Sequence, residues 1–229
     1  MAGNNAEGQF KAGAAYNETS YRIGRCLIMS TFVTPVVVQS SKATFPKAEI
    51  YVPHISQGSN AQADAHINKV LVQGAQQLVN SQGDLSHPRA EMLGLYEVKN
   101  NQKDILSLSL INYAYTGGAH GATLEKSYTF RTSTGKQYQL KDLFKPNSDY
   151  VAVLSEHVKA QIAARKIETF EPFKTIRPDQ DFYIADRSLV IYFQQYEIAP
   201  YVYGLLYFPI SIYDLESIVN ENGPLQAMY

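Results

Sequence analysis

Tryptophan is absent from this 229-residue chain, and cysteine occurs once, at Cys26. A single thiol excludes an internal disulfide framework and any zinc site built from cysteines. Charge is scarce as well. Lysine and arginine number 20 against 21 aspartates and glutamates, for a net charge of −1. Charged residues make up 18% of the chain, below the usual share of about a quarter. With no basic excess, like-charge tail or polybasic patch, nucleic acid is not expected as a partner. No apolar run is long enough to span a bilayer, so membrane association is at most peripheral or through an anchor.

Local catalytic signatures are missing too. The five histidines, His54, His66, His87, His120 and His157, each lack a second histidine within five residues. None therefore forms a short-range metal-ligand pair, and neither a metal nor a cofactor is expected. Gly-x-Ser-x-Gly does not occur, which removes the nucleophile elbow. Gly117 and Gly118 belong to no phosphate loop, because the Gly-Lys-Ser/Thr ending is absent and strand follows rather than helix.

Tyrosine is what the chain has in quantity, 17 residues in all. Its ring packs while its hydroxyl stays hydrated, which suits half-buried sheets and wet binding faces. At 45% hydrophobic the chain is able to bury a sizeable core. Residues 1–20 are small and polar and read as a disordered segment. Arg22 and Arg25 then precede the apolar stretch from Cys26 to Val38, with Ser41 to Ala43 following. For residues 22–43 two readings are open, ordinary β-structure or the remnant of an export signal or anchor.

Val36–Val38 and Ala48–Val52 read as short strands bounded by prolines. Ile67, Val70, Leu71, Leu78 and Val79 recur at helical spacing, predicting a helix over Ala61–Ser81 with Asn60 as its cap. Gly74 weakens that helix unless it marks close packing on a sheet. Glu91–Val98 and Ile105–Tyr115 predict a hairpin, and Leu106, Leu108 and Leu110 alternate with serines as in a strand buried on one face. Glu125–Arg131 and Gln137–Leu140 continue a meander. A second helix is expected from Tyr150 to about Ile167, then strands Ser188–Phe193 and Gly204–Ile210, then a short helix over Tyr213–Val219. Asp179, Asp181 and Asp186 lack calcium-loop spacing and read as solvated turn. The order implies an α+β fold, antiparallel β-sheets carrying two main packed helices and a short C-terminal helix. It divides into an N-terminal α+β subdomain, 21–104, and a C-terminal one, 105–229.

Two loops concentrate the unusual residues. One is Thr116, Gly117, Gly118, Ala119, His120 and Gly121. The other contains Tyr196, Glu197, Pro200 and Tyr201. Glycines this dense mark backbone at positive φ or passing close to something else. His120 is the best titratable candidate, with Glu197 as the carboxylate that would orient it for proton transfer. Equally open is a structural reading, in which His120 and Glu197 bond the backbone of their own loops. Tyr196 and Tyr201 suit either stacking on a sugar or loop packing.

Tyr115-Thr-Gly-Gly-Ala-His-Gly121, Thr134-Gly-Lys136, Leu140-Lys-Asp-Leu-Phe144 and Phe193-Gln-Gln-Tyr-Glu-Ile-Ala-Pro-Tyr201, in that order, resemble the PdaC/RsiV-type extracytoplasmic domains. The N-terminal half resembles their companion subdomain through Tyr51-Val-Pro-His-Ile55 and the helix carrying Ile67 and Asn68. The resemblance covers about residues 45–220. Such domains occur in a lysozyme-sensing anti-sigma factor, beside the catalytic domain of some peptidoglycan deacetylases, and alone. It implies a non-catalytic extracytoplasmic binding or sensing domain of the bacterial cell envelope, secreted, periplasmic or membrane-anchored. Lysozyme or peptidoglycan fragments are the implied partners, and Thr116, Gly117, Gly118, His120, Gly121, Tyr196, Glu197, Pro200 and Tyr201 the candidate contact residues. The deacetylases' metal-binding catalytic domain has no counterpart among these motifs. The alternative is a cell-wall glycan hydrolase or deacetylase-type enzyme using His120 and Glu197. Oligomeric state is left open.

Overall fold

The computed structural model describes residues 33–229. The readings for residues 1–20 and 22–32 fall outside the described residues, whereas 37–43 lie in a strand. Strands β1 (Val37–Phe45) and β2 (Ala48–Ser56) form a hairpin whose turn is closed by Lys47 at φ 66°. Helix α1 (Ala61–Ser81) follows, and the Asn60 side chain accepts the amides of Gln62 and Ala63 at 3.0 and 3.3 Å. That cap satisfies donors that the first helical turn leaves free. Strand β3 (Glu91–Gln102) returns parallel to β2, with Ala48 opposite Met92. A parallel pair needs such a crossover helix. Strands β4 (Ile105–Tyr115) and β5 (Ala122–Arg131) complete a sheet ordered β1-β2-β3-β4-β5, antiparallel in every other pair.

Beyond it, helix α2 (Tyr150–Arg165) precedes a second antiparallel sheet of β6 (Phe182–Ala185), β7 (Ser188–Phe193) and β8 (Leu206–Ser211). Three local expectations change. Gln137 makes only an isolated bridge to Phe130, and a short 3-10 turn begins at Leu140. The expected terminal helix is a 3-10 turn, Ile212–Leu215, after which Val219 bridges to Phe144. Strand β6, beside Asp179 and Asp181, is an added strand, its Phe-Tyr-Ile-Ala run being too short to show alternation.

Among the described residues, buried apolar side chains form three clusters, two on the first sheet and one on the second, the last taking in Ile105 of β4. Leu106, Leu108 and Leu110 of β4 pack with Ile67 and Leu71 of α1, and Gly74 lets the Tyr128 hydroxyl approach the helix backbone. Leu154 and Val158 of α2 pack with Ile191, Phe208 and Ile210 of the second sheet. The serine face of β4 is not solvated, contrary to its alternation. Ser107 and Ser109 are fully buried, bonded to Thr129 and Ser127 at 2.9 and 2.8 Å, and Ser107 Oγ accepts the Ile184 amide at 3.0 Å. The layers therefore meet along a polar seam. Tyr183, Tyr192 and Tyr207 line it, with ring centroids about 6 Å apart.

Candidate functional site

Strand β5 is an edge of the first sheet, and the chain after β7 seals it. The Thr123 amide donates to Gln195 Oε1 at 2.7 Å, the Glu125 amide to Gln194 Oε1 at 3.1 Å, and the Ser127 amide to the Tyr192 hydroxyl at 3.0 Å. Gln194 Nε2 returns a bond to the Glu125 carbonyl at 2.7 Å, and farther along the Tyr138 amide donates to the Thr129 carbonyl at 2.8 Å. Alternate residues of an edge strand point their amides outward, so side chains from one segment are able to cover the row. This zipper brings the segment 194–204 beside the glycine loop, which leaves β4 at Tyr115 and enters β5 at Ala122.

The loop's glycines serve separate ends. Gly117 and Gly118 sit at φ 110° and 109°, backbone that favours glycine. Gly121 is required by proximity, since a Cβ there would overlap the Tyr113 ring. The His87 ring lies over Gly117, Tyr115 meets that ring edge-on, and the Tyr115 hydroxyl donates to the Gly118 carbonyl at 2.9 Å. Thr116 is exposed and faces Gly83 beyond the end of α1.

His120 emerges on the other side, exposed. Its ring stacks on Tyr201 with centroids 3.9 Å apart, and the Tyr196 ring lies 6.3 Å away at 29°. Nδ1 faces the Gly121 carbonyl at 3.0 Å and Nε2 the Tyr196 hydroxyl at 3.3 Å. The Tyr201 hydroxyl donates to that same carbonyl at 3.0 Å. Tyr196 adopts φ 64° and is 53% exposed, and Pro200 opens the short turn Tyr201–Tyr203. His120, Gly121, Tyr196 and Tyr201 are thus one surface cluster of three rings.

Glu197 faces elsewhere. It accepts the Gln194 amide at 2.7 Å and Gln180 Nε2 at 3.2 Å, and it pairs with the Arg177 guanidinium. A carboxylate held by three donors is a structural anchor. His120 has no carboxylate beside it among its hydrogen bonds, so the pairing needed for acid–base chemistry is not formed. Arg177 and Gln180, twenty and seventeen residues upstream, carry no local signal of this role. Asp181, read as solvated turn, is held by Lys126 at 2.7 Å. Among the described residues no group of three or more histidine, cysteine or acidic side chains is placed to hold a metal.

The seam below the cluster contains Glu125, only 2% exposed, which accepts the Tyr207 hydroxyl. Burial, then the bond to Glu125, pushes the Tyr207 hydroxyl above its ordinary range. Burial, with Glu125 and Glu97 adding to it, pushes Tyr183 up to about 12. Burial also raises the Tyr192 hydroxyl well above its ordinary range. All three are kept neutral, as groups that donate hydrogen bonds in a confined polar layer should be.

Comparison with known proteins agrees with these motifs. A family model described as deacetylase PdaC matches residues 39–123, and one described as a protein of unknown function, DUF3298, matches 141–213. The anti-sigma-V factor RsiV of Bacillus subtilis is 32% identical over 183 residues. The chain carries a PdaC/RsiV-type domain. The match to RsiV covers 71% of this chain and 61% of that protein's length. Crystal structures of DUF3298-family proteins from Bacteroides fragilis and Pseudomonas aeruginosa share the fold, at TM-scores of 0.61 and 0.60 and 16% identity. They cover 86% and 82% of this chain, and 97% and 95% of their own. Both loops fall within or beside the matched segments, and the ring cluster joins one to the other. Among the described residues no helix is long and apolar enough to cross a membrane.

Proposed function

We propose that this PdaC/RsiV-type domain is an extracytoplasmic binding or sensing domain of the anti-sigma-factor kind. It recognises a cell-wall-directed protein such as lysozyme, or peptidoglycan fragments, through the surface made by its two motif loops. The observation that carries this reading is the exposed stack of Tyr201, His120 and Tyr196. Aromatic groups pinned in one geometry lose little entropy on binding, and tyrosine and histidine offer both ring faces and polar tips to a partner. Thr116, Gly117, Gly118, Gly121 and Pro200 shape the loops, and Glu197 holds the second one from within. We place the domain outside the cytoplasm. The identity to RsiV supports that placement.

Calorimetric titration with lysozyme and with muropeptides tests the proposal. Binding that is lost in a His120→Ala, Tyr196→Ala variant of unchanged melting temperature is expected. No binding of either ligand at high micromolar concentration would overturn it.

A further inference from the structure

Tyr196 stands where a tyrosine is least expected. Residues 194–197 form a tight turn closed in both directions. The Glu197 amide donates to the Gln194 carbonyl at 3.1 Å, and the Gln194 amide to Glu197 Oε2 at 2.7 Å. Tyr196 occupies the third position of this turn at φ 64°, the left-handed region that glycine and asparagine adopt most readily. Burial does not account for the tyrosine, which is 53% exposed. Strained backbone persists only where its surroundings over-determine it, and such positions cluster at functional sites.

The surroundings here are supplied by Gln180 and Arg177, neither of which belongs to a motif loop. Gln180 is 1% exposed, and its Nε2 donates to the Tyr192 carbonyl at 2.9 Å and to Glu197 Oε1 at 3.2 Å. One buried amide therefore joins the end of β7 to the end of the turn. Its Oε1 accepts the Arg177 amide at 3.3 Å, while the Arg177 guanidinium pairs with Glu197. Arg177 also reaches Asp179 at 3.4 Å and Asp181 at 3.9 Å, which fixes its own place. At the start of the turn, Gln194 and Gln195 are bound to β5. With both ends held, the Tyr196 ring lies beside His120, its hydroxyl 3.3 Å from Nε2.

We infer that Gln180 and Arg177 are positioning residues of the binding surface. Through Glu197 they hold Tyr196 in its left-handed conformation and so present its ring, already placed, beside His120. The inference rests on the proposal that the ring cluster meets the partner, and it adds two residues outside that cluster. A surface that is correctly formed only part of the time binds more weakly in proportion to that fraction. Loosening this latch therefore lowers affinity without removing any atom that touches the partner.

NMR of the intact chain reads the stack through the ring protons of His120 and Tyr196, and titration with lysozyme reads its use. In Arg177→Ala and Gln180→Ala the ring signals should move toward their unstacked values. Lysozyme should bind about threefold more weakly in the first, which loses a half-exposed ion pair, and about tenfold in the second. Arg177→Lys keeps a cation for Glu197 and should recover most of both readings. Where Gln180→Ala lowers the melting temperature, the two Arg177 variants decide. Ring signals unchanged in Arg177→Ala would overturn the inference. So would weakened binding with unmoved ring signals, which would make Arg177 a direct contact. If the wild type binds no lysozyme, the reading of the cluster as a lysozyme site falls, and the ring signals still decide whether the latch positions Tyr196.

Discussion

The ring of His120 lies on the ring of Tyr201, with centroids 3.9 Å apart and planes 21° from parallel. Below that stack the Tyr201 hydroxyl donates to the Gly121 carbonyl, joining residues 80 positions apart. Tyr201→Phe keeps the stack and removes the bond. A stability loss of about 0.5–1.5 kcal/mol is expected by urea titration. Tyr201→Ala removes both and should weaken partner binding more than His120→Ala does.

Gly74→Ala reverses the usual sign. In a helix interior alanine normally stabilises by about 1 kcal/mol over glycine. Here the new methyl would overlap the hydroxyl of the buried Tyr128. The expected result is a net loss of about 1–3 kcal/mol by chemical denaturation. Gly74→Ala combined with Tyr128→Phe should recover part of it.

Gln194→Ala strips the Glu125 amide of its partner at the sealed edge and leaves the Glu125 carbonyl only the long bond from the Tyr192 hydroxyl at 3.5 Å. Each buried group left unpaired costs about 1–3 kcal/mol. A lower denaturation midpoint and faster hydrogen exchange at the Glu125 amide are the expected readings. Gln195→Ala should release only the Thr123 amide and cost less.

Asn60→Ala removes the cap of α1 and the bond from its Nδ2 to the Ser133 carbonyl at 3.1 Å. A loss of about 1 kcal/mol or somewhat more is expected from thermal melts. Asn60→Asp keeps the cap and should recover most of it.

Alkaline pH acts on the seam. Tyr183 titrates at about 12 when folded and near 10.0 when unfolded, and Tyr192 is raised as well. The unfolded chain therefore releases protons first. The stabilisation is complete below pH 10 and is lost as pH rises through 12. Tyrosinate absorbance should show the seam tyrosines ionising only with unfolding, after the exposed ones. Tyr183→Phe should flatten that alkaline loss.

How much the sequence discloses depends on how local each signal is. Helix α1 is legible because Asn60 and the spacing of Ile67 and Leu71 lie within one segment. The parallel pairing of β2 with β3 is not, since it joins Ala48 to Met92 across the helix. Ser107 and Ser109 read as a wet face because burial by a second sheet is a tertiary event. Within the candidate site, His120 and Tyr201 stand out by composition. Glu197 does as well, but its partner Arg177 is an ordinary loop arginine until folding brings them together. Gln194 and Gln195 look like loop residues, and their work as backbone surrogates shows only beside β5.

The hydroxyl-lined seam has a consequence for cooperativity. The core on α1 and the core on α2 meet across serine, threonine, tyrosine and glutamate, with Ile105 of β4 joining the latter, so they share little apolar contact. The expected consequence is separate hydrogen-exchange behaviour of the part built on α1 and the part built on α2. The two motif loops span that join, since the glycine loop belongs to the first sheet and segment 194–204 to the second. A partner that grips both loops would staple the two layers together, and slower hydrogen exchange along the seam would register its arrival.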